Sequence, residues 1–208
     1  MRLIAVTQRV DLVPRPTGAP ERRDALDQAW TPFLAAADCL AVEMPNHPVT
    51  ARRLFETLPF TGLLLTGGND LFDQGGDAPE RDETEASLLE AARVLSLPVI
   101  GVCRGMQLIQ RAFGVALEAV EGHVADRQVV RVGDQPRAAN SYHRWGARAS
   151  SSDLSVWAHA EDGVVKAVRH ISEPLVGLMW HPERLSPFDP RDVRLFKQTF
   201  AARKTVAA

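Results

Sequence analysis

Cys103 stands in Gly101-Val102-Cys103-Arg104-Gly105, where an apolar run from Val99 meets helix-favouring residues from Met106 onward. A strand, a sharp turn and a helix in that order form the cysteine version of a nucleophile elbow. A side chain at either flanking glycine would crowd the neighbouring strand or helix. The turn lifts the thiol clear of the sheet and sets it at the positive end of the helix, where free N–H groups favour thiolate over thiol. The competing reading is an inert cysteine buried at a strand end.

A nucleophilic cysteine needs a base for its proton and an acidic group to orient that base. A second apolar run, Leu175 to Trp180, ends in His181-Pro182-Glu183, at the kind of strand end where open α/β sheets carry sites. His181 and Glu183 are two positions apart, so in extended chain they point the same way. Pro182 restrains the turn between them. Alone this tripeptide is a surface turn; with the elbow upstream it completes a Cys103–His181–Glu183 triad. Thr66-Gly67-Gly68 follows a third apolar run, and its glycines can turn backbone amides toward a developing oxyanion. Without a ligand, the same glycines are a tight turn.

The elements that must hold these residues alternate along the chain. Strands are expected at Leu3–Thr7, Cys39–Met44, Gly62–Leu65, Val99–Val102, Val129–Val132, Val164–Val168 and Leu175–Trp180. Helices are expected at Arg22–Ala37 (broken or kinked before Pro32), Ala51–Leu58, Glu83–Ser96, Met106–Phe113 and Arg191–Arg203. Leu12–Pro20 and Gly75–Arg81 read as loops. Asp82 followed by Glu85 reads as an N-cap with its reciprocal carboxylate, the alternative being a catalytic role for the Arg81-Asp82-Glu85 group. Apolar strands separated by amphipathic helices predict an α/β fold with a mostly parallel sheet covered by helices on both faces.

The 208 residues, 45% hydrophobic and 24% charged, suffice for one α/β core, so a single domain over 1–208 is expected. A net charge of -2 gives no pull toward nucleic acid or membrane. There is no apolar run of about eighteen residues, and Met1–Val6 reads as a first strand rather than a signal peptide. Two cysteines suit a reducing compartment rather than a disulfide scaffold, and Cys39 reads as core. Those features predict a cytoplasmic protein. No Cys/His cluster has zinc spacing, and no cofactor is called for.

Gly101 to Gln107, Trp180-His181-Pro182-Glu183, Leu65-Thr66-Gly67-Gly68-Asn69-Asp70, Arg81-Asp82 with Glu85, and Asn140-Ser141-Tyr142-His143 together resemble the class I glutamine amidotransferases, from about Ile4 to Phe200. The branch they resemble most is the stand-alone γ-glutamyl hydrolases, among them those acting on γ-glutamyl-γ-aminobutyrate. The resemblance implies a flavodoxin-like fold and hydrolysis of a γ-glutamyl amide through a Cys103 thioester. It also implies an oxyanion hole made of the Gly68 and Arg104 N–H groups. Gln107 is implied to grip the amide, and Asn140, Ser141 and Tyr142 to meet the glutamyl α-amino and α-carboxylate ends. His143 reads first as an exposed loop histidine.

Thr7-Gln8-Arg9, Asp24 to Trp30 and Met179-Trp180-His181 carry a narrower resemblance, to bacterial hydrolases of a γ-glutamyl amide of cytidine diphosphate. That substrate would place the chain in capsular phosphoramidate biosynthesis. An anionic leaving group calls for cations, and Arg9, Arg104, His143 and Arg144 stand near the expected mouth, with Trp145 available to stack on a base. The alternatives are a γ-glutamyl-γ-aminobutyrate or polyamine hydrolase, a glutaminase delivering ammonia to a synthase partner, and a non-catalytic interaction module. Arg144-Trp145 after His143 departs from the broader branch.

Overall fold

The computed structural model describes residues 1–201. The strands, in chain order, are β1 (Arg2–Val6), β2 (Arg9–Val13), β3 (Glu21–Ala25), β4 (Cys39–Glu43), β5 (Gly62–Leu65), β6 (Val99–Val102), β7 (Glu118–Ala119), β8 (Val124–Val132), β9 (Gln135–Tyr142), β10 (Trp145–Gly146), β11 (Leu154–Ala160), β12 (Val165–His170) and β13 (Leu175–Leu178). The helices are α1 (Trp30–Ala36), α2 (Pro48–Thr57), α3 (Pro79–Val94), α4 (Arg104–Ala112) and α5 (Pro190–Ala201).

Nine strands form one sheet in the order β4-β1-β5-β6-β13-β12-β11-β8-β9. From β4 to β13 all neighbours are parallel, and the inner strands β5, β6 and β13 are buried throughout as a helix-covered parallel sheet requires. From β13 to β9 all neighbours are antiparallel. The fold is therefore flavodoxin-like in its parallel half, with an antiparallel extension.

Both faces are covered. Trp30, Phe33 and Leu34 of α1 pack with Phe196 and Phe200 of α5 on one face. Phe55 of α2, Leu88 and Leu89 of α3, and Met106 and Ile109 of α4 fill the other.

Register fixes the functional edge. Leu65 and Gly177 both lie opposite Gly101, and Leu178 lies opposite Val102. β5, β6 and β13 thus end nearly level, and Thr66-Gly67-Gly68, Cys103 and His181 leave the sheet side by side. Because β12 runs against β13, with Ala167 opposite Leu178, the start of β12 reaches the same edge.

The structure departs from the sequence expectations in several places. Arg22–Ala25 is strand β3, hairpinned to β2, not the start of a helix. Its charges are satisfied by other segments of the chain. Arg22 reaches Glu80 Oε1 at 2.8 Å, and the Asp24 carboxylate accepts from the Asn46 backbone at 3.0 Å. α1 begins only at Trp30, with Pro32 in its first turn, where no N–H is needed. Asp82 and Glu85 lie within α3, whose N-cap position is Ala78, so they form no capping box. The long β8–β9 hairpin exceeds the expected Val129–Val132, and it carries Asn140, Ser141 and Tyr142 on a strand. β11 lies where no strand is expected. The expected continuation of α5 to Arg203 lies outside the described residues.

Gly105 is the tightest point between sheet and elbow helix. A Cβ there would lie 2.2 Å from the Leu65 carbonyl oxygen, which is backbone and cannot swing aside. Gly105→Ala should therefore lower unfolding stability by about 1–3 kcal/mol, the usual range for overpacking. Urea denaturation reads the loss, and an unchanged midpoint would contradict the fit.

Candidate active site

Cys103 sits at φ 53° and ψ -107°, a left-handed conformation unusual for a side-chain-bearing residue. Such backbone holds about 1–3 kcal/mol of strain and persists only where its surroundings fix it. Here the Cys103 N–H donates to Leu178 O at 2.6 Å, and its carbonyl accepts from Gln107 N at 3.1 Å. The elbow is thereby sewn to β13 on one side and to α4 on the other. Arg104 is the first residue of α4, so its N–H has no partner within the helix.

His181 is buried beside it. Its Nδ1 lies 2.7 Å from Glu183 Oε1, and its ring faces the Cys103 side chain, since His181 Cε1 and Cys103 Cβ both border the space that a Gly67 Cβ would fill. Pro182–Arg184 is a turn of 3-10 helix rather than extended chain, and that turn brings Glu183 back to the imidazole. Asn140 holds the His181 backbone from both ends, donating to its carbonyl at 2.8 Å and accepting from its N–H at 2.7 Å. Tyr142 packs edge-on against the imidazole, with ring centroids 5.7 Å apart. Burial alone would lower the His181 pKa, but the Cys103 sulfur and the Glu183 carboxylate outweigh it and raise it to about 9. The imidazole is therefore held in its charged form at neutral pH.

Gly67 leaves room for both partners. A Cβ there would stand 2.6 Å from His181 Cε1 and 3.4 Å from Cys103 Cβ. The wholly buried Arg81 fixes this loop, donating to the carbonyls of Thr66 and Gly67, both at 2.9 Å. A trans peptide sets its N–H opposite its C=O. Pinning the Gly67 carbonyl to Arg81 therefore turns the Gly68 N–H away from Arg81.

The structure gives other expected residues different surroundings. Arg104 cannot contact a leaving group, because its guanidinium is buried and paired with Glu85 and Asp82. Asn140 spends its amide on the His181 backbone instead of being a free glutamyl contact. Gln107 donates to Trp145 O at 2.9 Å. His143 is buried, not exposed: its Nδ1 lies 2.8 Å from the same carbonyl, and its Nε2 lies 2.7 Å from Lys166 Nζ. Ser141 Oγ accepts from Lys166 at 2.9 Å and donates to His123 O at 2.8 Å. Tyr142 OH donates to Asp126 at 2.9 Å. Arg144 is exposed, and Trp145 pairs in the short β10–β7 ladder.

Arg9 lies against Gly68, where a Cβ would come within 2.9 Å of its Cδ. A small cleft there is lined by Arg9, Gly68, His181, Glu183, Asp27 and Arg184. Sequence reasoning missed Arg184, Arg81 as the loop's anchor, and Lys166. Arg184 was detectable as the cation one place after the triad carboxylate. Lys166, in Val-Val-Lys-Ala-Val, gave no signal beyond a charged residue in a strand.

Fold and site together define a protein of the amidotransferase type with a cysteine at its elbow. The family model for glutamine amidotransferase class-I matches residues 34–201, and the chain belongs to that family. Among its relatives is the γ-glutamyl-CDP-amidate hydrolase of Campylobacter jejuni, 28% identical over 141 residues, which cover 67% of this chain and 69% of that one. Another is the γ-glutamyl-γ-aminobutyrate hydrolase PuuD of Escherichia coli, 27% identical over 198 residues, covering 76% and 78% respectively. A solved structure from Thermoplasma acidophilum, described as a GMP synthase component, shares the fold, with a TM-score of 0.68 and 20% identity over 97% of this chain and 94% of that one. Among the described residues no helix is long and apolar enough to cross a membrane, and no three His, Cys, Asp or Glu are grouped to hold a metal ion.

The electrostatic coupling gives a direct test. After burial, the Cys103 sulfur is the leading influence on His181 and the first that raises its pKa. Replacing the sulfur in Cys103→Ala should bring the imidazole pKa well below 9, toward or under the ordinary histidine value. An NMR titration of the ring carbons in both proteins reads the change. An unmoved pKa would mean that the two side chains are not paired.

Proposed function

We propose that the chain hydrolyses a γ-glutamyl amide through a thioester on Cys103, with cytidine-diphosphate amide as the leaving group. The observation that carries the reaction class is the side-chain chain Cys103–His181–Glu183, facing a glycine loop whose amide is turned by Arg81. The Cys103 thiolate attacks the γ-carbonyl carbon, and the carbonyl oxygen takes the negative charge. The N–H groups of Gly68 and Arg104 receive that oxyanion. As the intermediate collapses, the C–N bond breaks and His181 gives its proton to the departing nitrogen. Neutral His181 then removes a proton from water, the resulting hydroxide attacks the thioester, and glutamate leaves while the thiolate and imidazolium re-form. Glu183 holds the ring orientation and stabilises its charged form throughout.

Support for the nucleotide comes from the cleft beside Gly68, where Arg9 and Arg184 stand together. Guanidinium groups suit phosphate oxygens through paired hydrogen bonds. The Campylobacter relative is named for such a substrate. On this reading the product is cytidine diphosphoramidate, the precursor of a capsular phosphoramidate. The second reading is a γ-glutamyl-γ-aminobutyrate or polyamine hydrolase. It draws on the Escherichia relative; in the same cleft Asp27 would suit the free ammonium of a polyamine amide, and Arg9 and Arg184 the distal carboxylate of the γ-aminobutyrate amide. A glutaminase serving a synthase partner uses the same chemistry on glutamine.

Turnover of γ-glutamyl-CDP-amidate, γ-glutamyl-γ-aminobutyrate and glutamine, measured side by side, separates these readings. Cys103→Ala should abolish all turnover, and retention of a tenth of the activity would rule out the covalent route. His181→Ala should approach the same loss and Glu183→Gln should lose less. Because the groups act as a unit, the double variant should be scarcely worse than His181→Ala.

The leaving-group side has its own test. Arg9→Met and Arg184→Met each remove one charge-assisted contact worth roughly 1.5–3 kcal/mol, or about 10- to 150-fold in kcat/KM. At least one should lose that much on the nucleotide amide while changing little on glutamine. Equal losses on both substrates would overturn the nucleotide assignment and leave the γ-glutamyl hydrolase reading in place.

A further inference from the structure

Lys166 carries a buried amine that the chemistry above does not use. It stands near the start of β12, and its backbone carbonyl accepts from Met179 N at 2.9 Å, two residues before His181. Along the active edge the order is therefore Gly68, Cys103, His181, Lys166, contributed by β5, β6, β13 and β12. Only 1% of Lys166 is exposed.

An ammonium has three hydrogens to donate. One goes to Ser141 Oγ at 2.9 Å and one to His143 Nε2 at 2.7 Å. Both acceptors are neutral. His143 Nδ1 faces the Trp145 carbonyl, which can only accept, so Nδ1 carries the ring hydrogen and Nε2 offers its lone pair. Burial first, and then the Lys166 charge, push the His143 pKa down to about 3, which keeps the ring uncharged. The third hydrogen of Lys166 has no partner among the described residues, and no carboxylate among them lies within ion-pair distance of it.

A buried charge without a counter-ion is unfavourable unless something supplies one. The charged and titratable groups around Lys166 do so weakly. Asp162, in the turn before β12, acts at a distance and is engaged with His123 and Arg148. His143 stacks on His123, with centroids 5.0 Å apart, and neither is an anion. Cys103 adds a favourable influence across the site. His181, just beyond the end of the next strand, is itself held as a cation.

We propose that Lys166, with Ser141 and His143 as its fixed supports, is the receptor for the α-carboxylate of the γ-glutamyl group. The inference rests on the γ-glutamyl reading and names which residue recognises the acid half of that substrate. A γ-glutamyl group bonded at Cys103 carries its α-carboxylate a few bonds from the reacting carbon. Lys166 lies on the same edge, beyond His181 and across from the Gly68 loop and its arginine-lined cleft. The α-carboxylate completes the missing ion pair, while the α-ammonium is repelled and must turn the other way.

The test uses γ-glutamyl p-nitroanilide and its counterpart with an α-carboxamide. Lys166→Met should lower kcat/KM for the acid about 10- to 150-fold, the worth of a charge-assisted bond, mainly through KM. The α-carboxamide, which never had the contact, should be little affected. Equal losses on the two substrates would mean that Lys166 serves the reacting centre rather than the α-carboxylate and would overturn the assignment.

A second measurement needs no variant. Burial lowers the Lys166 pKa to about 7, so at pH 7.5 much of it is neutral, and capture of a carboxylate must draw in a proton. Calorimetry of the wild-type protein in two buffers of different ionisation enthalpy should show proton uptake with glutamate. Isoglutamine, which keeps the γ-carboxylate but has an α-amide, should show weaker binding and no uptake. Equal affinity without uptake overturns the inference even where γ-glutamyl amides are turned over. A protein that hydrolyses none of them removes the function on which it rests.

Discussion

One buried carboxylate sets the geometry of the whole edge. Glu85 accepts from Thr7 Oγ1 at 2.7 Å and from Arg81 Nε at 2.9 Å, and it is also paired with Arg104. Burial by itself would push its pKa up; the two guanidinium groups reverse this and hold it below the usual carboxylate value. Through those partners Glu85 ties together the end of β1, the loop after β5 and the first residue of the elbow helix. Two arginines face Glu85 and Asp82, so the cluster is close to neutral. Removing one member would strand a buried charge, which typically costs about 3–5 kcal/mol. The same Arg81 that neutralises Glu85 also grips the Thr66 and Gly67 carbonyls. The orientation of the Gly68 N–H is therefore a by-product of how a buried charge is satisfied.

The strained elbow depends on that frame. A left-handed Cys103 is tolerable because β6 and β13 are in register and Leu178 accepts its N–H. The same register delivers His181 immediately beyond Leu178, so the pairing that holds the cysteine in an unfavourable conformation also brings the imidazole to its sulfur. Asn140 extends the coupling to the antiparallel half, because it fixes the His181 backbone from β9. Strands far apart in sequence thus meet at one histidine.

What was legible in the sequence was what the chain writes locally. Gly101 to Gly105 encodes a sharp turn in five consecutive residues, and His181 and Glu183 are near neighbours. Their meeting across the sheet follows from two apolar runs becoming adjacent parallel strands. The residues that misled are those whose role is set by distant partners. Arg104 has the charge of an anion binder, but burial against Glu85 and Asp82 consumes it. Arg22–Ala25 has a helix-compatible composition, but its charges find Glu80 and Asn46 and the segment pairs with β2 instead. His143 follows a polar stretch and reads as exposed, although the β8–β9 hairpin folds it inward onto Lys166. Lys166 itself was invisible, since a lysine in an apolar strand is ordinarily taken to point to solvent.

The two ends of the site differ in how firmly they are built, and that difference bears on specificity. Lys166, Ser141 and His143 are enclosed by the sheet and by one another, so a change in any one disturbs the hydrogen bonds of the rest. Arg9 and Arg184 stand at the surface, partly exposed, in pairs with the exposed Asp11 and Asp27, although Arg184 also reaches the buried Glu183. Exposed pairs of that kind contribute little to stability, so they can be exchanged without unfolding the protein. On the proposed reading, recognition of the glutamyl group is tied to the core and recognition of the departing amine is not. Relatives named for a nucleotide amide and for γ-aminobutyrate are what such an arrangement would produce: the rigid half preserves the reaction, and the exposed half varies the leaving group.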